Sequence, residues 1–313
     1  MPRVDAPAVA ILGPTGSGKS LLAMTLATRF GGEIVSCDAL QVYRHMNIGT
    51  AKPTPIERET VPHHMLDLHD PGEDFSAGDY QRLAREALGK IRDRGHVPFV
   101  AGGTGFYLRA LIDGLFEGPG RSEELRARMR AILRRGGIGH LYRALQCSDP
   151  VAAGRIMPAD TSRIVRAYEV YLMTGRPMSK WQEQPLDKLV GFRWLKLAPA
   201  WPREILYQRI NRRVDEMFQA GFVEEVRGLL QKYPPECHAL KAIGYRQIVD
   251  FLEAKCSLEQ AIDNTKQESR RYAKKQLTWF RALPDVVWLD AGANLSNLEC
   301  EAIGRVEQHL EFR

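Results

Sequence analysis

The sequence is poor in the features that mark secreted and membrane proteins. Its five cysteines are scattered through 313 residues without a CxxC pair, so neither a disulfide framework nor a cysteine-based zinc site is expected. No run of about 18 apolar residues occurs, so no transmembrane helix is expected. The segment 1–7 is short and polar, unlike a signal peptide. These absences predict a cytoplasmic protein that is not bound to a membrane.

The composition is that of a globular chain with an excess of positive charge. Hydrophobic residues make up 44% and charged residues 26%, and there are no internal repeats or low-complexity tracts. The formal net charge is +6, which by itself is weak support for a polyanionic partner. A chain of this length can form one large domain or two modest ones. No pattern of an oligomer interface stands out, so we expect a monomer.

Strand and helix patterns alternate along much of the chain. Residues 8–12 (AVAIL) predict a strand buried on both faces, and residues 33–36 (EIVS) predict a second strand. The alternation predicts an α/β fold with a parallel sheet. Further strands are predicted at 96–101, 190–197 and 286–289, and helices at 19–30, 77–94, 106–112, 202–220, 223–232, 242–252 and 258–283.

One long segment departs from this alternation. Residues 115–189 begin with a highly charged helix and contain no good strand pattern. We interpret this segment as a helical insertion domain. The α/β core would then comprise residues 1–114 and 190–313 and include basic helices in its C-terminal part.

The glycine-rich segment after the first predicted strand fits G-x-x-x-x-G-K-[ST] at every fixed position. In this motif, the P-loop, backbone N–H groups point at phosphate oxygens and the following helix adds its positive dipole end. Lys19 supplies a cation, and the Ser20 hydroxyl is the expected Mg²⁺ ligand. The motif predicts a core like that of P-loop NTPases, with a phosphate site formed by Gly13, Pro14, Thr15, Gly16, Ser17, Gly18, Lys19 and Ser20.

The motif alone does not identify the phosphate compound. NTPases usually hold Mg²⁺ with an acid at the end of another buried strand. Here the predicted strand 96–101 leads instead into Gly102, Gly103 and Thr104. The nearest acid is Asp38, after the second strand, where it could act as the base for an acceptor hydroxyl in a small-molecule kinase. A kinase is therefore still open at this point.

Several further segments together resemble the tRNA dimethylallyltransferases, also called tRNA isopentenyltransferases. Besides the P-loop, they include 36–43 (SCDALQVY), 47–53 (NIGTAKP), 102–107 (GGTGFY), 163–170 (RIVRAYEV), 243–247 (IGYRQ) and 271–281 (RYAKKQLTWFR). The resemblance covers nearly the whole chain. It implies transfer of a dimethylallyl group from dimethylallyl pyrophosphate to N6 of adenosine 37, beside the anticodon of tRNA. The P-loop would then hold the pyrophosphate of the donor rather than ATP.

The implied reaction gives individual residues catalytic roles. An exocyclic adenine amine is a poor nucleophile, so we predict Asp38 as general base, with a structural cap or an outer-shell Mg²⁺ ligand as its alternatives. Lys19, the P-loop amides and Mg²⁺ on Ser20 would stabilise the charge on the leaving pyrophosphate. Thr104 would bind the pyrophosphate or place the adenine, unless it only caps a helix.

Two arginines on the predicted helix 202–220 are further candidates for binding the pyrophosphate. Arg209 and Arg213 lie four residues apart and therefore on one helix face. We favour Arg213, with an exposed helix face as the alternative.

The resemblance also implies contacts with the tRNA. Basic residues would bind its phosphates, notably along helix 258–283, whose opposite stripe is apolar. The turn after the second strand would read an adenine splayed out of its stack, and Tyr245 would stack on a base. The predicted contacts are Asp38, Ala39, Leu40, Gln41, Thr104, Arg163, Arg166, Lys241, Ile243, Gly244, Tyr245, Arg246, Gln247, Arg270, Arg271, Lys274 and Lys275.

Other hypotheses fit fewer of these features. A prenyltransferase acting on free adenine nucleotides would need neither the helical insertion nor the basic C-terminal helix. A non-catalytic RNA-binding module would not need a P-loop together with Asp38. The spacing of His63, His64 and His69 matches no standard zinc pattern, so we predict no metal site there.

Overall fold

The computed structural model describes residues 5–292 and 295–311. Contacts divide the chain into two compact units, one formed by the residues up to Ile112 and from Leu189 onwards, the other by Asp113–Lys188. The first half of the larger unit contains β1 (Ala6–Leu12), α1 (Lys19–Arg29), β2 (Glu33–Ser36), α2 (Pro55–Thr60), β3 (His63–His64), α3 (Ala77–Asp93), β4 (Pro98–Gly102) and α4 (Gly105–Ile112).

The smaller unit is helical throughout its regular structure. Its elements are α5 (Glu123–Gly136), α6 (Ile138–Ser148), α7 (Pro150–Arg155), α8 (Thr161–Thr174) and α9 (Met178–Trp181). The larger unit then continues with β5 (Phe192–Ala200), α10 (Arg203–Gln219), α11 (Phe222–Leu230), a 3₁₀ turn (Ala239–Lys241), α12 (Tyr245–Leu252), α13 (Leu258–Arg281), β6 (Val286–Asp290) and α14 (Leu295–Glu311).

The six strands form one sheet in the order β3-β2-β4-β1-β5-β6, and every pairing is parallel. In the register of the central strands, Ile11 lies opposite both Ala101 and Leu197. A parallel sheet needs helices on both faces, which is why β1 is apolar at almost every position. The predicted α/β fold with a parallel sheet is confirmed. The two-residue strand β3 and helix α2 were not predicted, because such short elements show no periodicity.

Two hydrophobic layers cover the sheet. Alternate residues of β1 point to opposite faces. Ala8, Ala10 and Leu12 pack in one layer with α3 and α11–α13, whereas Val9 and Ile11 pack in the other with α1 and α14. Since the ends of parallel strands meet at one edge, this packing brings the loops after β1, β2 and β4 together. Within the described residues, no helix is both long and apolar enough to cross a membrane.

The helical unit has its own small core, built from α5–α8. Glu169 is completely buried there and accepts hydrogen bonds from the guanidinium groups of Arg126 and Arg166 and from the Ser122 N–H. Burial alone would raise the pKa of Glu169, but these partners outweigh it and lower the pKa to about 2. Arg166 also donates to the carbonyls of Pro119 and Gly120. Arg166 therefore has a structural role inside this unit, and its contact with tRNA stays a prediction.

Candidate active site

The P-loop lies between β1 and α1, as its sequence context predicts. Gly16 and Gly18 have φ values of 78° and 86°, a backbone region in which residues with a Cβ atom are strained. A Cβ on Gly16 would also lie 2.8 Å from Cγ1 of Ile210. The glycines thus let the loop turn tightly while α10 packs directly against it.

Three side chains from β5–α10 hold the P-loop backbone in place. Trp201 donates its indole N–H to the Ser17 carbonyl at 2.8 Å, and Arg209 donates to the Gly16 carbonyl at 2.9 Å. The Arg209 guanidinium also lies over the Trp201 ring, 4.4 Å from its centroid. Arg213 donates to the Thr15 hydroxyl at 3.0 Å. Helix α10 therefore stabilises the loop and places Arg213 beside it.

A cavity of about 780 Å³ opens in front of the P-loop. Its wall includes Lys19, Ser20 and Arg213 together with Asp38 and Thr104, from the loops after β2 and β4. The structure thus brings together every residue that was predicted to take part in catalysis. The volume is in the range that ligand-binding pockets usually have.

The cations in this cavity are largely removed from water. Burial and the nearby charge of Arg213 lower the pKa of Lys19 to about 8, although Asp38 acts in the opposite direction. Burial likewise lowers the pKa of Arg213, again opposed by Asp38. Two adjacent cations in a poorly hydrated site favour a bound anion, because an anion would offset both their repulsion and their lost hydration.

Asp38 follows β2 and forms a turn with the residues after it. Its Oδ1 accepts hydrogen bonds from the backbone N–H groups of Leu40, at 2.9 Å, and Gln41, at 3.4 Å. Oδ2 accepts none from the described part of the chain, and Asp38 lines the cavity. One oxygen therefore fixes the carboxylate while the other is available to a ligand.

Thr104 joins the loop after β4 to the loop that carries Asp38. Its Oγ1 accepts a hydrogen bond from the Ala39 N–H at 3.1 Å, and its own N–H donates to the Cys37 carbonyl at 3.2 Å. Oγ1 thus bonds Ala39 rather than the first turn of α4, and the Thr104 side chain also hydrogen-bonds Tyr272. The thiol of Cys37 is no nucleophile here, since burial raises its pKa to about 12.

Two residues of α13 that had no predicted role also belong to this site. The Tyr272 ring lines the cavity, where burial and the negative charge of Asp38 raise its pKa to about 12. Gln276 is buried and contacts both glycine-rich loops: its Oε1 accepts from the Thr15 N–H at 3.0 Å, and its Nε2 donates to the Gly103 carbonyl at 2.8 Å. Their spacing of four residues places them on one face of α13.

Gln41 lines the cavity, but its side chain is engaged in local hydrogen bonds. Oε1 accepts from the Ser36 hydroxyl at 2.8 Å, and Nε2 donates to the carbonyls of Thr50 and Ala51 at 3.2 Å each. Both amide hydrogens are therefore used within the protein. Gln41 thus links the turn after Asp38 to residues 50 and 51, and its predicted role in reading the base stays a prediction.

A second carboxylate holds the same segment from α11. Glu225 accepts the N–H groups of Asn47, Ile48 and Gly49 at 2.8, 2.7 and 3.2 Å. The hydroxyl of Tyr245 donates to it at 2.7 Å. Three consecutive amides that converge on one carboxylate form a filled anion nest. The segment 47–49 is thereby tied to the helices on this side of the sheet.

The predicted tRNA-contacting residues of segment 241–247 divide into two groups. Tyr245 is completely buried and is bound to Glu225, so it cannot stack on an RNA base in this structure. Gln247 is also buried, and its Oε1 accepts from the Gly244 N–H at 2.8 Å. We correct both assignments to structural roles. The remaining residues lie at the cavity wall or on the surface: Lys241, Ile243, Gly244 and Arg246.

The basic residues of α13 differ in their surroundings. Arg270 donates to the Asn211 side chain at 2.6 Å, and Arg271 is paired with Glu268 at 2.6 Å. Lys274 and Lys275 are exposed, and neither has an ion-pair partner within the described ranges. In the helical unit, Arg163 is also exposed and lies 3.4 Å from the Asp160 carboxylate. Lys274 and Lys275 are therefore the most accessible of these side chains to phosphate groups.

No group of three or more His, Cys, Asp or Glu side chains suited to a metal ion occurs among residues 5–292 and 295–311. The cavity nevertheless contains the Ser20 hydroxyl and the Asp38 carboxylate. Mg²⁺ is commonly held by one or two protein oxygens together with phosphate oxygens and water. These residues therefore suit a Mg²⁺ ion that arrives with a phosphate ligand.

The fold and the site together define a P-loop α/β enzyme whose phosphate cradle faces a carboxylate across one cavity. The family model for "IPP transferase" matches residues 41–283, and that for "Isopentenyl transferase" matches residues 7–74. The chain therefore belongs to the IPP transferase family. This confirms the predicted family, and with it a prenyl-transferring enzyme rather than a kinase.

Relatives and solved structures agree over nearly the full length. The chain is 51% identical to a tRNA dimethylallyltransferase of Koribacter versatilis over 279 residues, covering 89% of this chain and 91% of the relative. It is similar to the crystal structure of a tRNA isopentenylpyrophosphate transferase from Bacillus halodurans (TM-score 0.72, 38% identity, 98% and 97% of the two chains). It also resembles a eukaryotic dimethylallyltransferase described as acting on tRNA (TM-score 0.79, 30% identity, 96% and 77%).

Proposed function

We propose that this protein transfers a dimethylallyl group from dimethylallyl pyrophosphate to N6 of adenosine 37 in tRNA. The observation that supports this most directly is the cavity that the Asp38 carboxylate shares with the P-loop and with the partly buried cations of Lys19 and Arg213. A phosphoryl-transfer enzyme needs its base near the terminal phosphate. A prenyltransferase instead needs room for a short apolar group between a pyrophosphate site and a base.

The P-loop would bind the pyrophosphate of the donor. Lys19 and Arg213 would supply positive charge there, and Trp201 and Arg209 fix the loop. As the allylic C–O bond breaks, its electron pair goes to the pyrophosphate oxygen. Groups held in place before that charge develops stabilise the transition state without reorganising.

Asp38 would act on the acceptor. The N6 amine attacks the allylic carbon, the new C–N bond makes the nitrogen positive, and its proton passes to Oδ2. The hydrogen bonds from Leu40 and Gln41 to Oδ1 orient the carboxylate for this step. Thr104 and Tyr272, whose side chains are hydrogen-bonded to each other, would form the wall that places the adenine. A general base of this kind typically contributes ~10²–10⁴-fold to the rate.

Mg²⁺ would be held by the Ser20 hydroxyl. Bound with the donor, the ion would neutralise charge on the leaving pyrophosphate.

The tRNA would reach the cavity past basic surfaces. Lys274 and Lys275 on α13, Arg246 and Lys241 are exposed near residues that line it. We further propose that the helical domain 115–189 contacts tRNA. The unit Asp113–Lys188 contains thirteen Lys or Arg against nine Asp or Glu, and so contributes a large part of the net charge of +6. Such contacts would be weakened by salt. We also infer that the enzyme works as a monomer in the cytoplasm.

The test is transfer of label from dimethylallyl pyrophosphate, with Mg²⁺, to three acceptors in parallel. These are tRNA with adenosine 37, the same tRNA with guanosine 37, and AMP. Label on the first alone is the expected result. Label on AMP would move the enzyme to the class that acts on free nucleotides, and no label on any acceptor would contradict the proposal.

Replacement of Asp38 tests its role as the base, because it should lower kcat without weakening tRNA binding. Asp38→Asn keeps the size of the side chain and one acceptor oxygen for the Leu40 and Gln41 amides. We expect it to lower kcat by ~10²–10⁴-fold while tRNA binding, measured by filter retention, changes little. A near wild-type rate would show that Asp38 is not the base.

A further inference from the structure

Gln276 lies on α13 at the point where the two glycine-rich loops of the site meet. We propose that Gln276 is a positioning residue that sets the spacing between the pyrophosphate-binding loop and the loop that carries Thr104. This inference rests on the transferase function proposed above and extends it. Tyr272, one turn earlier on the same helix, and Gln276 both line the cavity, but the amide of Gln276 is bonded to backbone groups of the two loops.

The two contacts join residues that are far apart in the chain. Oε1 of Gln276 accepts the Thr15 N–H, 261 residues away, and Nε2 donates to the Gly103 carbonyl, 173 residues away. The side chain is buried, so water does not readily replace either bond. Each loop follows a different strand of the sheet, and the Gln276 amide joins them directly on the side away from the strands.

The two contacts need one acceptor and one donor on the same side chain, and an amide supplies both at every pH. The Thr15 N–H needs an acceptor and the Gly103 carbonyl needs a donor, so the amide orientation is determined by its partners. The approach is also close: a Cβ on Gly103 would lie 2.3 Å from Nε2. A glycine at this position therefore leaves room for the Gln276 side chain.

One of the two loops leads to the leaving-group site, and the other leads to the base. On one side, the Thr15 hydroxyl accepts from Arg213, and the loop continues to Lys19. On the other side, Gly103 precedes Thr104, whose hydroxyl accepts from Ala39, the neighbour of Asp38. Gln276 thus lies at the centre of a series of bonds that runs from the leaving-group site to the base. A change in this spacing would alter the distance between donor and acceptor.

Replacement of Gln276 should reduce turnover more than binding. Gln276→Met keeps the length and volume of the side chain and removes both hydrogen bonds. We expect kcat to fall ~10²-fold, because a displacement of about 1 Å between reacting groups has an effect of that size. KM for donor and tRNA should change by less than ~3-fold, since the groups that bind them are unchanged. Gln267→Met is the matched control, because Gln267 is exposed on the same helix.

A second variant gives a readout that loss of stability alone would not produce. In Gln276→Glu, an ionised carboxylate accepts from Thr15 but repels the Gly103 carbonyl, whereas the neutral acid can accept and donate as the amide does. We therefore expect the ratio of its kcat to that of the wild type to rise steadily as the pH is lowered from 8 to 6. Thermal unfolding of each variant shows that the assays are run on folded protein.

The outcomes separate this inference from the proposed function. If the wild type transfers label to tRNA but Gln276→Met stays within ~3-fold of its kcat, the positioning role is wrong. If the ratio of kcat for Gln276→Glu to kcat for the wild type does not change with pH, the positioning role is also wrong. This second test applies even if Gln276→Met does not fold. If the wild type itself transfers no label, the proposed function fails instead. A large loss of kcat with Gln267→Met would mean that the effect is not specific to Gln276.

Discussion

The lowered pKa of Lys19 predicts that binding of the donor takes up a proton at alkaline pH. In the empty site the pKa is about 8, against an ordinary value of 10.5, because burial and Arg213 oppose the charged form. A bound pyrophosphate would favour the charged form and return the pKa towards or above 10.5. Above pH 8, Lys19 is therefore mostly neutral in the free enzyme and charged in the complex, so binding of the donor takes up a proton.

The magnitude follows from the pKa. At pH 9 only about a tenth of the free enzyme carries the Lys19 charge, so binding should take up about 0.9 proton per donor. At pH 7 about nine tenths already carries it, and uptake should fall to about 0.1. The donor contributes little at pH 9, since a phosphate group with its last pKa near ~6 is already ionised. The apparent Kd should rise about tenfold per pH unit above 8.

Titration calorimetry of the donor in two buffers with different ionisation enthalpies measures this uptake directly. Lys19→Arg is the control, because a guanidinium remains charged throughout this range, so its uptake at pH 9 should be close to zero. A wild-type uptake near zero at pH 9 would refute the reasoning, since it would mean that Lys19 is already charged in the free enzyme or stays neutral in the complex.

Two further predictions concern stability and RNA binding. Glu169→Gln should lower the free energy of unfolding of the helical unit by about 3–5 kcal/mol, because Arg126 and Arg166 lose their buried partner. The folded pKa of Glu169 is about 2, so its stabilisation is present above the ordinary pKa of a glutamate and is lost as the pH falls towards 2. Denaturation by urea at several pH values would measure both effects. The double change Lys274→Ala and Lys275→Ala should raise KM for tRNA and lower the slope of log Kd against log salt by about 1–2, with KM for the donor unchanged; an unchanged slope would exclude both lysines as phosphate contacts.

The residues that could be predicted from sequence are those at the ends of strands. The P-loop, Asp38 and Thr104 each follow an apolar run, and parallel strand ends must meet at one edge of the sheet. Gln276 and Tyr272 lie in α13, more than 230 residues from Asp38, and only the packing of that helix brings them to the site. No local pattern distinguishes them from other polar residues on a helix.

The wrong assignments have a different cause. Tyr245 belongs to a motif of the family, which suggested contact with the substrate. Ile248 and Val249 follow at three and four residues, so the helical spacing already places the Tyr245 side chain on the buried face. For Tyr245, the helical spacing correctly predicts a buried side chain, whereas the resemblance predicted contact with an RNA base. Arg166 has Glu169 three residues away on the same helix, a spacing that indicates a structural ion pair in addition to its predicted tRNA contact.

The carboxylate of Glu225 has a consequence for how the donor enters. Without it, the three amides of residues 47–49 would be a second place in the cavity wall where a pyrophosphate could bind. Because Glu225 already fills that nest, a donor placed there would meet a negative charge instead of free N–H groups. A phosphate group in the cavity is therefore expected at the P-loop and not at residues 47–49.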